Sequence, residues 1–270
     1  GQNIDIASNG DVYNILLIGS DTRNGWYGNS DSMILVSINS QTKTIYMTSF
    51  MRDLYANIPN VGIRKLNSAY AVGGGPLLVS TIESNYRVDI DNYASVDFSS
   101  MANIIDLVGG VDLEVSTQEA GYINMYLDEQ CRLQGLNASD YYVTGGGITH
   151  LNGNQAVGFA RIRYTSRGNE HSDYGRTSRQ REILVQLMQK ARSLDATTLL
   201  AVVNNMLPLI THNIDAATLT TLIANAPSYI NYDIQTDRIP YDGLYSSLGE
   251  ELVPDFEATI NRLHQTIYGN

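Results

Sequence analysis

Cationic side chains are concentrated in one short stretch of a chain that is otherwise acidic. The formal net charge is −11, yet six of the seventeen Lys and Arg residues fall between positions 161 and 181. Arg176, Arg179 and Gln180 are spaced i, i+3 and i+4 at the start of a predicted helix, so they share a face near the positive end of the helix dipole. Cations gathered there favour a small, highly charged anion as ligand. The alternative is a solvated charged face whose carboxylate partners are Glu170, Asp173 and Glu182.

Acidic and basic residues also follow the ends of predicted strands. Asp21 stands just beyond the apolar strand VYNILLIGS, and Asp31 opens the next strand. Two such carboxylates can converge on one hard divalent cation, for which we expect Mg²⁺, with Mn²⁺ as a substitute; alternatively, each caps a turn. Arg52 and Asp53 end the third strand, and Lys65 lies in the loop before the next helix. This set suits a phosphoanhydride, because a metal and guanidinium groups neutralise charge on phosphoryl oxygens.

Strand and helix patterns alternate along the chain and predict the elements that position these residues. We expect strands at 12–21, 33–38 and 44–49, and a helix broken by glycines before Pro76. Further helices are predicted after Ser99 or Ser100, from Asn152, over 175–194, 196–206 and 215–227, and after Pro254, whereas 116–147 has a less regular pattern. Without a charged or low-complexity linker, this order predicts a single α/β domain with a central mixed sheet and helices on both faces.

Composition excludes several other classes of protein. A chain of 270 residues with 43% hydrophobic and 17% charged residues is typical of a folded protein with a substantial core. A pI near 4.7 argues against broad binding to nucleic acid. Cys131 is the single cysteine, so we expect no intramolecular disulfide and no thiolate metal site. No apolar run reaches the roughly 20 residues that span a bilayer. The polar start without Met suggests a processed end from which an anchor has been removed.

An ordered set of motifs resembles one family. The segments are NILLIGSDTR, NSDSMILVSIN, SFMRD, KLNSAYAVGG, VGGVDLEV, HLNGNQAVGFARIR and DYGRTSRQR, which together span residues 14 to 181. In this order they resemble the LytR-CpsA-Psr proteins of Gram-positive cell envelopes. The chain departs from the pattern at Asn29, where many members have Arg, and at Met51, where many have Pro.

The resemblance implies a phosphotransferase whose catalytic domain lies outside the cytoplasmic membrane on a single-pass anchor. Such a protein moves a glycopolymer, such as teichoic acid or capsule, from a polyprenyl diphosphate carrier to peptidoglycan through a phosphodiester. Asp21 and Asp31 match the family's magnesium-site aspartates. The residues that match or fall within its diphosphate-binding motifs are Arg23, Arg52, Lys65, Arg161, Arg163, Arg176, Arg179 and Gln180.

We expect the whole chain, 1–270, to be this catalytic domain, with a core at 12–195 and a helical extension at 196–270. The carrier's hydrocarbon tail needs an apolar pocket, which the segments MANIIDLV and EILVQLMQKA could line; ordinary core packing is the alternative.

The catalytic roles are less determined by the sequence. The candidates for catalysis are Arg52, Asp53 and Asp173. Either aspartate could orient arginines, and Asp173 could accept the proton of the acceptor hydroxyl. Two other functions use the same residues. One is hydrolysis of the polyprenyl diphosphate, and the other is a lipid-diphosphate sensor without turnover.

Overall fold

The computed structural model describes residues 8–21 and 28–269. They form two compact units, one of residues up to 97 together with 211–269, and one of residues 98–210. The α/β class with a central mixed sheet flanked by helices is confirmed. We expected a core at 12–195, but the chain divides differently. Its last 59 described residues, 211–269, belong to the first unit.

The first unit contains the central sheet and three helices. Its strands are β1 (Val12–Ser20), β2 (Ser30–Asn39), β3 (Thr44–Phe50), β4 (Tyr55–Ile58), β5 (Gly62–Lys65), β6 (Asn92–Asp97), β9 (Thr211–His212), β10 (Asp233–Ile239), β11 (Tyr245–Leu248) and β12 (Glu251–Pro254). Its helices are α1 (Ser68–Tyr86), α7 (Ala216–Tyr229) and α8 (Phe256–Tyr268).

The second unit is mainly helical. Its helices are α2 (Phe98–Leu107), α3 (Thr117–Gln134), α4 (Gly153–Ala160), α5 (Ser172–Arg192) and α6 (Ala196–Met206), and its strands are β7 (Val111–Val115) and β8 (Gly147–Leu151). Among the described residues, no helix is long and apolar enough to span a membrane.

The central sheet has the strand order β10-β3-β2-β1-β6-β9, with β1 antiparallel to β2 and parallel to β6. Residues alternate between its faces because side chains of a strand point to opposite sides. On one face, Asn14 donates to the Tyr268 hydroxyl of α8, and Ser95 is hydrogen bonded to Tyr70 of α1. On the other face, burial raises the pKa of Tyr13, and Asp91, Asp215 and the Tyr229 ring of α7 raise it further.

The glycine break predicted in the first long helix is confirmed. Gly73 and Gly74 have non-helical backbone angles inside α1, and Gly74 has a φ of 64°. A side chain at the next position, Gly75, would begin 2.3 Å from the Tyr93 ring. The glycines therefore allow both the kink and the close approach of α1 to the sheet.

The core of the second unit was predicted incompletely. The region 116–147 contains the 18-residue helix α3, which begins with a capping box in which Ser116 and Glu119 bond each other's backbone. Ile123, Leu127 and Cys131 of α3 are buried in the same core as Ile105 of α2 and Ile183 of α5. Ile105 and Ile183 therefore belong to the packed core and do not line a lipid pocket.

The C-terminal region is not the helical extension that we expected. Helices α6, α7 and α8 lie close to the predicted bounds, but strands β9 to β12 occur between them. Strand β10 pairs in parallel with β3 over the whole of β3 and becomes an edge of the central sheet. Strand β10 was not predicted from the sequence, because most of its residues are polar and exposed and only Arg238 and Ile239 are buried.

Candidate functional site

A β-bulge positions Asp31 at the end of the central strand pair. The register of β1 and β2 pairs Gly19 with Ser32 but Ser20 with Ser30, which leaves Asp31 as the extra residue. A bulge redirects the side chain that it contains. Asp21 follows Ser20 directly, so both aspartates lie at the same end of this strand pair, as the sequence predicted.

Arg52, Asp53 and Lys65 form a chain of ion pairs that starts at Asp31. The Nη1 atom of Arg52 lies 3.8 Å from Oδ1 of Asp31, and its Nε atom lies 3.9 Å from Oδ2 of Asp53. Asp53 also contacts the Lys65 ammonium at 3.0 Å. Two hydrogen bonds raise the pKa of Lys65: the one to Asp53 has the larger effect, and the one to Glu250 the smaller. About a quarter of the side chains of Asp31, Arg52 and Asp53 is exposed, which leaves them accessible to a ligand.

The backbone of Asn67 fixes this arrangement. Its N–H donates to the carbonyl of Arg52 at 3.2 Å, and its carbonyl accepts from the N–H of Ser30 at 3.4 Å. One residue in the loop before α1 therefore ties the start of β2 to the segment after β3. These two backbone bonds hold the segments that carry Asp31 and Arg52 next to each other.

Asp21 and Asp31 fit a magnesium site in which a bound substrate supplies some of the metal ligands. In the part of the chain that the structure describes, no three His, Cys, Asp or Glu side chains cluster as a metal site of their own. Mg²⁺ is usually held by one or two carboxylates, with waters and substrate phosphates as the other ligands. Asp21 and Asp31 supply that number of oxygen ligands, so the donor set suits Mg²⁺ bound together with a phosphate substrate.

In the second unit, the loop after α4 runs along one face of α3. The guanidinium carbon of Arg161 lies 5.0 Å from the centre of the Tyr126 ring and 4.7 Å from that of Phe98. Three residues later, the ring of Tyr164 lies 5.8 Å from that of Tyr122. We call the segment 161–171 the arginine loop. Cation–π contacts of this kind hold a guanidinium in one orientation.

The other end of the arginine loop is held by a buried ion network of Glu119, Arg167, Arg179 and Glu182. Arg179 donates from Nε to Glu119 at 2.7 Å, and Arg167 contacts the other oxygen of Glu119 at 3.1 Å. Arg167 also bonds Glu182 through two nitrogens. Both guanidinium groups lie over the Phe159 ring, at 5.2 and 5.8 Å. The network joins α3, α4, α5 and the loop.

Arg179 does not fit the role of a diphosphate ligand. Its side chain is fully buried, and besides Glu119 it donates to the carbonyls of Ile162, Thr165 and Ser166. A guanidinium with its donors used inside the protein has little left for a substrate. The structure assigns Arg179 to holding the arginine loop, and our expectation of a direct contact is not supported.

The start of α5 brings Asp173 and Arg176 together. Their side chains pair at 2.7 Å, and each is mostly buried. This pairing supports the interpretation in which Asp173 orients an arginine. Gln180 donates to the carbonyl of Ala160, while its Oε1 atom is buried without a hydrogen-bond partner in the described residues. Arg163 is half-buried in the arginine loop. Arg23 lies outside the described residues.

Two members of the buried ion network were not predicted from the sequence. Glu119 and Arg167 were not among the predicted residues, although Glu182 was considered as a partner for the cations. The signal for Glu119 is present in the sequence as Ser116-Thr-Gln-Glu119, since this spacing marks a helix start. That signal predicts a cap, but it does not predict that the same carboxylate binds two arginines.

The whole chain is similar to one family of known proteins. A family model described as the LytR_cpsA_psr family matches residues 2–261. A relative from Oceanobacillus iheyensis, named polyisoprenyl-teichoic acid–peptidoglycan teichoic acid transferase TagU, is 34% identical over 272 residues, covering 96% of this chain and 76% of the relative. Other curated relatives extend further, and the chain spans 48% to 62% of the length of three of them.

Solved structures show the same fold. One is that of TagT bound to LIIa-WTA, with a TM-score of 0.73 and 22% identity over 96% of this chain and 91% of that one. Another is TagT with a bound octaprenyl pyrophosphate lipid, with a TM-score of 0.68 and 21% identity over 97% of this chain and 92% of that one. TagT is a protein of Bacillus subtilis. At these identities the likeness concerns the fold.

Proposed function

The chain is a member of the LytR-CpsA-Psr family, and from this premise we propose that it transfers a glycopolymer from a polyprenyl diphosphate carrier to peptidoglycan. The observation that carries the proposal is the pairing of Asp31, placed by a bulge, with Arg52 at 3.8 Å. A carboxylate that can hold a metal, next to a guanidinium that can hold a phosphate, suits phosphoryl transfer. The names of TagU and of the TagT complexes support the same class of substrate.

The reaction is a displacement at the phosphorus that carries the glycan. A hydroxyl of the peptidoglycan acceptor attacks this phosphorus and forms a new P–O bond. The P–O bond to the bridging oxygen breaks, and polyprenyl phosphate leaves with that oxygen. The hydroxyl proton passes to a base or to a phosphate oxygen, and the glycan remains attached through a phosphodiester.

Each group of residues has one task in this reaction. The residues that bind diphosphate oxygens are Arg52, Lys65, Arg161, Arg163, Arg176 and Gln180. The arginines suit this task because a planar guanidinium group bonds two such oxygens at once. Asp53 orients Arg52 and Lys65, to which it is paired. Asp21 and Asp31 hold Mg²⁺, which when bound neutralises charge on the diphosphate. Asp173 orients Arg176 through their ion pair.

The apolar tail of the carrier needs a surface that is not already packed. Helix α6 offers one, because it is rich in apolar residues and none of its residues is fully buried. Leu200 of this helix is 44% exposed. We therefore place the tail along α6, which packs against α2, and not between α2 and α5, where core packing occupies Ile105 and Ile183. Because the carrier is a membrane lipid and the peptidoglycan acceptor lies outside the cytoplasmic membrane, we propose that the reaction takes place at the outer face of that membrane, where a single-pass N-terminal anchor holds the domain.

A transfer assay tests the proposal. The chain is incubated with a lipid-linked glycan diphosphate, peptidoglycan oligomers and Mg²⁺, and mass spectrometry is used to find glycan joined to peptidoglycan. Asp31→Ala and Arg161→Ala should abolish the product, while Asp140→Ala and Arg132→Ala, at exposed positions of the second unit, should not. Free glycan phosphate in place of the joined product would show hydrolysis, and tight binding without turnover would show a sensor.

A further inference from the structure

One face of α3 contacts the arginine loop at three successive points. Glu119, Tyr122 and Tyr126 are spaced i, i+3 and i+7, so they lie on one face of the helix. They contact Arg167, Tyr164 and Arg161, in that order. The loop therefore runs antiparallel to the helix with one contact for each of its turns. The ends of this series are cationic, and its middle is an aromatic pair.

Only the middle contact presents a large surface to solvent. Among the described residues, the Tyr164 ring contacts one other ring, that of Tyr122, at an interplanar angle of 33°, and 73% of the residue is exposed. Next to it, Thr165 donates to the Gln118 side chain at 3.0 Å, which adds polar groups beside the rings. An exposed aromatic face edged by amide and hydroxyl groups suits a ligand that is apolar on its faces and polar at its rim. A pyranose ring has that character.

The spacing relates this aromatic pair to the proposed diphosphate site. Tyr122 and Tyr126 are four residues apart on α3, which corresponds to about 6 Å along the helix axis. Arg161 stacks on Tyr126, and Tyr164 stacks on Tyr122, so guanidinium and exposed ring are separated by about one helical turn. In a diphosphate-linked glycan, the first sugar is bonded directly to the phosphate, so it would lie about this far from a phosphate that Arg161 binds. Arg163, adjacent to Tyr164 in the chain, adds a second positive charge near the ring.

From this arrangement we propose that Tyr164, supported by Tyr122, binds the first sugar of the glycopolymer, the one that is bonded to the diphosphate. The inference rests on the proposed function, because that function supplies a diphosphate-linked saccharide as substrate. It commits to the donor saccharide and not to the sugars of the acceptor. The aromatic pair would then recognise that a saccharide is present and set its position relative to Arg161.

Binding measurements without turnover test this proposal. The probes are farnesyl diphosphate and farnesyl diphosphate that carries one N-acetylglucosamine, titrated into the whole chain by calorimetry. For the unmodified chain we expect tighter binding of the sugar-bearing probe. Tyr164→Ala should weaken that probe about five- to tenfold, in line with the energy of one ring contact, and leave the sugar-free probe unchanged. Tyr164→Phe should keep the preference, because the ring remains. Tyr142→Ala, at a tyrosine of the same unit that donates to Asp128, is the matched control and should change neither probe.

The outcomes separate this inference from the proposed function. If Tyr164→Ala weakens both probes equally, the side chain holds the loop and the sugar assignment is wrong. If neither affinity changes, the assignment is also wrong, while the transfer reaction remains possible. If Tyr164→Ala instead removes binding of a peptidoglycan disaccharide without diphosphate, the ring serves the acceptor and the donor assignment is wrong. If the unmodified chain binds neither farnesyl probe, carrier recognition fails and the inference fails with it.

Discussion

The Nε atom of Arg179 lies 2.7 Å from Oε2 of Glu119, and both side chains are almost wholly buried. Glu119 also accepts from Arg167, so one carboxylate bonds two guanidinium groups inside the second unit, of which that of Arg167 is also paired with Glu182. A buried charge that loses its partner is strongly destabilising. The arginine loop therefore depends on one glutamate from another helix.

We expect Glu119→Gln to lower the free energy of unfolding by about 3 kcal/mol, because the buried Arg179 loses its counter-charge and Arg167 keeps only Glu182. Glutamine is also accepted in a capping box, so the helix start is kept and the loss of charge is isolated. Denaturant unfolding measures the change. Glu114→Gln is the control, since the hydrogen bond from Arg167 to Glu114 uses the backbone carbonyl, which this substitution keeps. A Glu119→Gln protein as stable as the unmodified chain would show that the network contributes little.

Removal of divalent cations should stop transfer, and Mg²⁺ should restore it, with Mn²⁺ as a weaker or equal substitute. Asp31→Asn should raise the Mg²⁺ concentration that gives half-maximal rate by about tenfold or more, because one of two carboxylate ligands is lost. Initial rates over a Mg²⁺ series measure this effect. Asp140→Asn is the control at an exposed position. An unchanged Mg²⁺ requirement in Asp31→Asn would remove this residue as a ligand.

Asp173→Asn should lower the transfer rate without changing the shape of its pH profile. The reason is that Asp173 is paired with Arg176 at 2.7 Å and acts by orienting it. If Asp173 were the general base, its loss would cost about 10²- to 10⁴-fold, and the acid limb of the profile would disappear. A pH–rate profile of both proteins decides between these roles.

Stability at low pH should depend on Asp112, a residue outside the candidate site. Hydrogen bonds from His150, and then from Lys190, lower the pKa of Asp112. A carboxyl with a lowered pKa in the folded state stabilises the protein above its unfolded pKa, and this contribution is lost as the pH falls through the folded value. Asp112→Asn should therefore be less stable than the unmodified chain at pH 6 and lose less stability below about pH 4. Thermal unfolding at several pH values measures this difference, and a constant gap between the two proteins would contradict it.

The sequence predicted elements best where the pattern is strong and local. The strands that hold Asp21 and Asp31, the glycine break at Gly73 and the C-terminal helix are all present as expected. The bulge at Asp31 was not predictable, because it arises from the pairing register between two strands. Strand β10 was missed since it becomes a strand by pairing with β3, about 190 residues earlier in the chain.

The candidate site was predicted by residue type and not by role. Arg179 and Arg176 share a helix face in the sequence, yet Arg179 is fully buried against Glu119 while Arg176 pairs with Asp173. Helical spacing places two side chains on the same side, but tertiary contacts decide which of them meets a carboxylate. The exposed Tyr164 carries no sequence signal at all, because its contact with Tyr122 crosses 42 residues.

The central claim is that the phosphorus next to the glycan is transferred to the acceptor. It is tested by a single-turnover reaction on a carrier labelled with ³²P at one of the two phosphorus positions. We expect label at the glycan-side phosphorus to appear in peptidoglycan, and label at the lipid-side phosphorus to leave as polyprenyl phosphate. Release of the glycan-side label as a soluble phosphate, or no release of either label, would contradict the proposed transfer.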